Sequence, residues 1–374
     1  MTNIFYNIDL FKIINEYIDL RSLCDTCSLF ITLKKYINYI LNKEYSLMYY
    51  DDILFRNTIL NKIFNPIKQL HLDLSECLDL EDCNKITDVS ALGNVHTLNL
   101  NNCNQITDVS ALGNIHTLKL SRCNITDVSA LGNVHTLDLS YCNITDVSPL
   151  GNVHTLDLHS CNQITDVSAL GNVHTLNLSY CNITYVSALG KVHTLDLSWC
   201  INIIDVSALG NVHTLNLSWC KKIKDVSALG NVHTLDLSWC KKIKDVSALG
   251  NVHTLDLTYC NITDVSALRN VHTLYLGFCD NITDVSALRN VHTLYLTYCE
   301  KITDVSALGN VHTLDLSYCN IIDVSALGNV HTLNLSCCNQ ITDVSALGNV
   351  HTLDLSCCKK IKDVIRNVHT LNYV

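Results

Sequence analysis

The sequence predicts an α/β solenoid: a parallel β-sheet on the concave face, a convex side of short 3₁₀ or extended chain, and a small helical cap at the N-terminus. Three observations lead there. The 374-residue chain repeats itself, with His at 96, 116, 135, 154, 174, 193, 213, 233, 253, 272, 292, 312, 331, 351 and 369, spaced by 20 or 19 residues with a final 18. Each unit carries T-L-D-L-S, whose polar and apolar residues alternate as in a strand with one buried face. Residues 1–66 lack the repeat and show helical spacing instead.

The strand comes first. Leu98 and Leu100, then Leu118 and Leu120, point inward, while Thr97, Asn99 and Asn101 point out. Stacked units set such strands in parallel about 4.8 Å apart. The D-V-S-A-L-G-N that follows is too short for a full helix, so a 3₁₀ or extended turn is expected, with Val and Leu inward. No unit can bury its apolar face alone, so the stack folds as a near one-dimensional array. Low Gly and Pro contents, 13 and 2 residues, agree with short, repetitive loops.

Three ladders run through the array. Cys recurs at 103, 123, 142, 161, 181, 200, 220, 240, 260, 279, 299, 319, 338 and 358. One ligand per rung does not converge on a metal, so these are expected to be buried thiols whose S–H satisfies turn carbonyls. Asp88, Asp108, Asp127, Asp146, Asp166 and their successors are expected to bind backbone N–H groups at the start of the convex turn, and Tyr185 interrupts them. Fifteen His line one edge, and Leu70 occupies that place in an earlier rung, so the fold does not require His there. Protonating all fifteen moves the formal charge from −10 to +5 (−10 + 15). Mutual repulsion then lowers their pKa values and loosens the array in mild acid.

The unit V-H-T-L-D-L-S-Y-C-N-(Q)-I-T-D carries L-x-x-L-x-L-x-x-N/C and so resembles a leucine-rich repeat of the Cys-containing kind. Its I-T-D-V-S-A/P-L part also resembles the short repeats of internalin-like and phosphatase-regulator proteins. The resemblance covers residues 67–374, about 15 repeats of 19–20 residues, and implies a binding solenoid rather than an enzyme.

Residues 1–66 predict helices near 10–18, 23–36 and 40–64, the last interrupted. Residues 8–36 resemble an F-box. Leu10-Phe11 stand at the paired leucines, Ile14 at the isoleucine, Tyr17-Ile18 at the Y-L pair, Ser22-Leu23 at D-L, Leu29 at the valine and Leu33 at the tryptophan. Asp9 near the proline position and the missing Trp depart from the motif. The resemblance implies that Leu10, Ile14, Tyr17 and Leu23 dock a Skp1-type subunit of an SCF-type ubiquitin ligase, with the repeats holding a substrate. The same helices serve equally as a plain cap. The Asn/Ile/Lys/Tyr-rich N-terminus with near-identical repeats resembles proteins of giant amoebal viruses or of amoebae.

Where rungs differ, a partner surface is expected. The eighth position carries aromatics from Tyr180 to Tyr318, with Trp199, Trp219 and Trp239 in consecutive rungs, then Tyr259. Asp196, Asp236 and Asp256 lie on the outward strand face, and Lys221, Lys222, Lys224, Lys241, Lys242 and Lys244 follow in the turns. Exposed Trp and Tyr anchor protein interfaces; alternatively the rings only stack on one another. The remaining expectations are exclusions. An excess of 35 acidic over 25 basic residues argues against a nucleic-acid partner. No stretch of about 18 apolar residues suggests a membrane span. Without a secretory signal, the Cys-rich chain is expected in the cytoplasm. No nucleophile, metal or dinucleotide motif appears, so neither cofactor nor metal is expected. The final strand, ending at Leu371-Asn372-Tyr373-Val374, is expected to offer an open edge for end-to-end association.

Overall fold

The protein is described from a computed structural model, over residues 5–7, 38–41, 43–62, 70–74, 86–361 and 368–372. Two compact units are distinguished, Met1–Asn177 and Leu178–Val374.

In the first unit the strands are β1 (Phe5–Asn7), β2 (Asn38–Ile40), β3 (Leu70–Asp73), β4 (Thr97–Asn99), β5 (Thr117–Lys119), β6 (Thr136–Asp138), β7 (Thr155–Asp157) and β8 (Thr175–Asn177). Each pairs in parallel with the next. In the second unit β9 (Thr194–Asp196), β10 (Thr214–Asn216), β11 (Thr234–Asp236), β12 (Thr254–Asp256), β13 (Thr273–Tyr275), β14 (Thr293–Tyr295), β15 (Thr313–Asp315), β16 (Thr332–Asn334), β17 (Thr352–Asp354) and β18 (Thr370–Asn372) pair likewise. The register sets Leu against Leu, as in Leu215↔Leu235↔Leu255.

The rung of β11 shows why this sequence closes into a coil. Leu235 and Leu237 enter the core, followed by Cys240, Ile243, Val246, Leu249 and Val252, all at most 2% exposed. Seven inward side chains in a 20-residue rung supply the driving force, at roughly 1.5–3 kcal/mol for each large aliphatic. The backbone polar groups of the turns find local partners: Cys240 N–H donates to the Leu237 carbonyl at 3.1 Å and Ile243 N–H to the Cys240 carbonyl at 3.0 Å. Ser247–Leu249 form the expected 3₁₀ turn. Its entry is fixed by Asp245, whose Oδ1 accepts the Ser247 N–H at 2.9 Å. The same Asp–Ser turn recurs from Asp88 to Asp343, and the accepted N–H and hydroxyl bonds hold these exposed carboxylates below the usual range.

The Cys ladder also behaves as its placement suggests. Cys240 Sγ donates to the Leu217 carbonyl at 3.2 Å and Cys260 Sγ to the Leu237 carbonyl at 3.2 Å, each thiol reaching back one rung. Burial pushes the Cys240 thiol up to about 12. Among the described residues no group of three or more His, Cys, Asp or Glu could hold a metal.

The N-terminal stretch adds strands as well as helices. The sequence predicts a run over 40–64; the structure places Ile40 in β2 and splits the rest into α1 (Lys43–Asp51) and α2 (Ile53–Lys62). Asp52 makes the break, its Oδ1 accepting the N–H groups of Leu54 and Phe55 at 2.8 and 3.2 Å as an N-cap. Ser46 ties α1 to the sheet: its hydroxyl donates to the Leu41 carbonyl and accepts the Asp73 N–H. Because β2 pairs with β3, the hydrogen-bonded ladder runs across the expected boundary at residue 66. Residues 8–36, with Leu10, Ile14, Tyr17 and Leu23, lie outside the described residues.

Candidate interaction surface

Fourteen side chains at the eighth position share one backbone feature. From Asn102 to Cys357 every one has φ between 57 and 64°, and none is Gly. This left-handed conformation costs a bulky residue roughly 1–2 kcal/mol. It arises because the chain must leave the strand and turn within three residues, so that the next residue, Cys, can enter the core. The sequence carried one signal of it, Asn102, a residue type that tolerates the conformation.

In the second unit the residues so placed form a continuous ring file. Tyr180, Trp199, Trp219, Trp239, Tyr259, Phe278, Tyr298 and Tyr318 stack with centroids 3.8–5.0 Å apart and planes within 20°. Each pair contributes about 0.5–1.5 kcal/mol beyond area burial, which offsets the backbone strain. The rings stack as the second sequence reading expects, and their edges stay open, Tyr180 at 44% and Tyr318 at 43% exposure. A Trp219→Asn substitution loses two stacked neighbours but relieves the left-handed penalty. We expect a net destabilisation below about 2 kcal/mol, together with collapse of the near-UV circular dichroism of the coupled indoles.

Lysines flank the file. Lys221 Nζ lies 4.5 Å from the Trp219 ring centroid and 5.9 Å from that of Trp199, and Lys241 Nζ lies 5.0 Å from that of Trp239. Lys222 Nζ donates to Asn202 Oδ1 at 2.7 Å, and Asn202 Nδ2 to Asn182 Oδ1, forming a polar chain over three rungs. Among the described residues, none of the six lysines from Lys221 to Lys244 pairs with a carboxylate.

Asp196, Asp236 and Asp256 stand in register on the outward sheet face. Each carboxylate turns back on its own strand end, accepting the N–H of Ser198, Ser238 and Thr258 at 2.8 Å. Burial raises the pKa of Asp256. Sequence reasoning missed Tyr275 and Tyr295, which replace this Asp and stack at 4.5 Å and 1°; the signal was T-L-Y-L in place of T-L-D-L. It also missed exposed Ile201 and Ile204, at 50 and 60% exposure, where the repeat otherwise carries polar residues, and it read Tyr185, 80% exposed, only as a break in the Asp ladder.

The His edge is a second file. In the second unit His193 to His369 stack at 4.5–4.7 Å. In the first, His96 to His174 do the same, with His71 tilted onto His96. From His96 to His369 each Nδ1 sits 3.1–3.5 Å from the next Thr Oγ1, as at His174, His213 and His253. Parallel rings aim their nitrogens side by side, so adjacent lone pairs do not converge on one ion.

Sequence models of the leucine-rich repeat match residues 132–172, as two copies, and residues 251–269 and 329–348. Each unit is a leucine-rich-repeat solenoid. Solved structures agree. An internalin from Listeria monocytogenes is similar with a TM-score of 0.52 and 23% identity, over 76% of this chain and 91% of that one. The functional domain of InlJ from the same organism, which includes a cysteine ladder, gives 0.52 and 20%, over 76% of this chain and 66% of that. The TLR13–ssRNA13 complex gives 0.53 and 21%, over 90% of this chain and 58% of that one. No curated protein matches the sequence.

Proposed function

We propose that this leucine-rich-repeat chain is a noncatalytic interaction scaffold, and that the ring file of its second unit docks an acidic segment of a protein partner. The observation that carries this is the combination of stacked rings with lysines that, among the described residues, no carboxylate neutralises. Face-to-face stacking uses up the ring faces, so stacking ligands find none between the rungs. What remains outward is the ring edge, which is the positive side of the quadrupole, beside ammonium groups. Trp199, Trp219, Trp239, Tyr180 and Tyr259 supply apolar contact and the lysines supply charge. Asp196, Asp236 and Asp256 on the adjoining sheet face repel an acidic segment and so confine it to the edge. A noncatalytic role is supported by the repetition itself, since Ser, His, Asp and Cys recur in every rung without a unique constellation. Buried thiols that donate to carbonyls of the rung before support a reducing, cytoplasmic setting.

The finer form of the proposal makes the chain a substrate-recognition adaptor of an SCF-type ubiquitin ligase, docked on a Skp1-type protein through Leu10, Ile14, Tyr17 and Leu23. Its support is the F-box resemblance of residues 8–36. A plain scaffold without a ubiquitin link is favoured by β1 and β2, which flank that segment in sequence and pair with each other, with β2 continuing into β3.

The test is a peptide-display selection on the full chain. Acidic peptides with aromatic or aliphatic anchors are expected, with at least tenfold weaker binding to the Trp199→Ala/Trp219→Ala/Trp239→Ala variant at unchanged far-UV circular dichroism. Enrichment of basic peptides, or equal binding to the variant, overturns the docking surface. Full-length chain captured by purified Skp1-type protein, and released by Leu10→Ala/Ile14→Ala, selects the adaptor form.

A further inference from the structure

Among the described cysteines fourteen are buried, but Cys337 is half-buried and Cys357 exposed. Both stand at the left-handed position of adjacent rungs, with φ of 59 and 62°, where the chain elsewhere carries stacked rings. The strands before them, β16 and β17, pair with Leu333↔Leu353 and Asn334↔Asp354. Cys337 N–H donates to the Ser356 carbonyl at 2.8 Å, so the two turns are held together up to the cysteines themselves. Neighbouring parallel strands about 4.8 Å apart bring equivalent Cα atoms within the 4.4–6.8 Å that a disulfide spans. Side chains at this position lie parallel, as the Tyr298–Tyr318 pair at 4.1 Å shows in the two rungs before.

The two thiols are not equivalent. The Cys357 thiol and the Tyr318 hydroxyl each hydrogen-bond with the side chain of Cys337. Cys338 and Cys358, one residue further on, are spent differently: each donates into the core, to the Leu316 and Leu335 carbonyls at 3.0 and 3.1 Å.

We propose that Cys337 and Cys357 form a reversible disulfide that fastens two rungs together, made by exchange with a low-molecular-weight disulfide such as oxidised glutathione. The Cys337 thiolate attacks one glutathione sulfur; the new protein–glutathione S–S bond forms as the glutathione disulfide breaks and one glutathione thiolate leaves. Cys357 then loses its proton and attacks the Cys337 sulfur, expelling the second glutathione thiolate, which takes up that proton. The two protein thiols are oxidised and the glutathione disulfide is reduced to two thiols. The staple sits at the end of the ring file next to Tyr318, and reduced glutathione reverses it.

The experiment treats native full-length protein with oxidised glutathione, blocks remaining accessible thiols with iodoacetamide, and cleaves on the N-terminal side of Asp. Cleavage at Asp343 separates the two cysteines. The expected product is a cross-linked pair of peptides, two hydrogens lighter than their sum, that falls apart on reduction. A Cys357→Ser variant is expected to hold a stable glutathione adduct at Cys337 instead. Separate adducts on both cysteines of the unmutated protein, or both found alkylated, overturn the proposal. A cross-link through Cys338 or Cys358 overturns it as well.

Discussion

Thermal stability is expected to fall as pH is lowered from 7.5 to about 3, in two stages set by two different ladders. The first belongs to the imidazoles. Burial and the neighbouring rings of His116 and His71 pull His96 down to about 4, and the same causes lower His154, His233 and His292. A base whose folded pKa lies below its unfolded value of about 6.5 takes up fewer protons in the folded state, so folding is favoured at high pH. That stabilisation is whole above about pH 6.5 and is lost toward pH 4. His96 remains in contact with solvent; screening cuts its share to roughly 1–2 kcal/mol. The second stage belongs to the turn carboxylates. Their folded pKa values are lowered by the Ser N–H and hydroxyl bonds, so their contribution persists above about pH 4 and is lost below it. Both effects have one sign. Calorimetry between pH 7.5 and about 3 checks this, and a constant Tm contradicts it. A His96→Leu variant, patterned on Leu70, whose carbonyl accepts the His96 N–H, is expected to flatten the first stage.

The largest loss of stability is expected from the middle of the core. Leu235 is 1% exposed and lies in register between Leu215 and Leu255. Truncation to Ala leaves a cavity that neighbouring rungs cannot close, because both are pinned by the same ladder, and costs about 2–5 kcal/mol. In an array where each rung touches only its neighbours, the loss weakens two interfaces at once. Denaturation is then expected to split into two transitions followed by circular dichroism. A single transition shifted by less than about 1 kcal/mol counts against this view of the core.

Most of the fold was legible because every structural rule was written many times over. The alternation in T-L-D-L, the Cys at the ninth place and the Asp two residues before each Ser all read directly as strand, core thiol and turn. What was not legible was local geometry that sequence spacing does not encode. Nothing in Trp199, Trp219 and Trp239 announces a left-handed backbone, since large rings ordinarily avoid it; only Asn102 hinted at it. The ring edges, the lysines and a stacking of the rings on one another could be read in advance, but not that Asp196, Asp236 and Asp256 would turn back on their own strand ends. At the N-terminus helical periodicity showed α1 and α2, whereas β1 and β2 are three-residue strands too short to leave a periodic signal.

The mixture of 19- and 20-residue rungs has its own consequence. The additional residue, as in Asn104-Gln105, lies in an exposed turn, and the inward Cys103 and Ile106 keep their places. Each rung therefore presents the same upper and lower surface whatever its length. Excising one rung brings together two surfaces that already fit, and inserting one does the same. The number of rungs is thus a nearly neutral variable for folding, free to drift by unequal recombination among near-identical copies. The marked rungs that carry the rings are fixed only by their order relative to one another, so a partner can be retained while the array around it grows or shrinks.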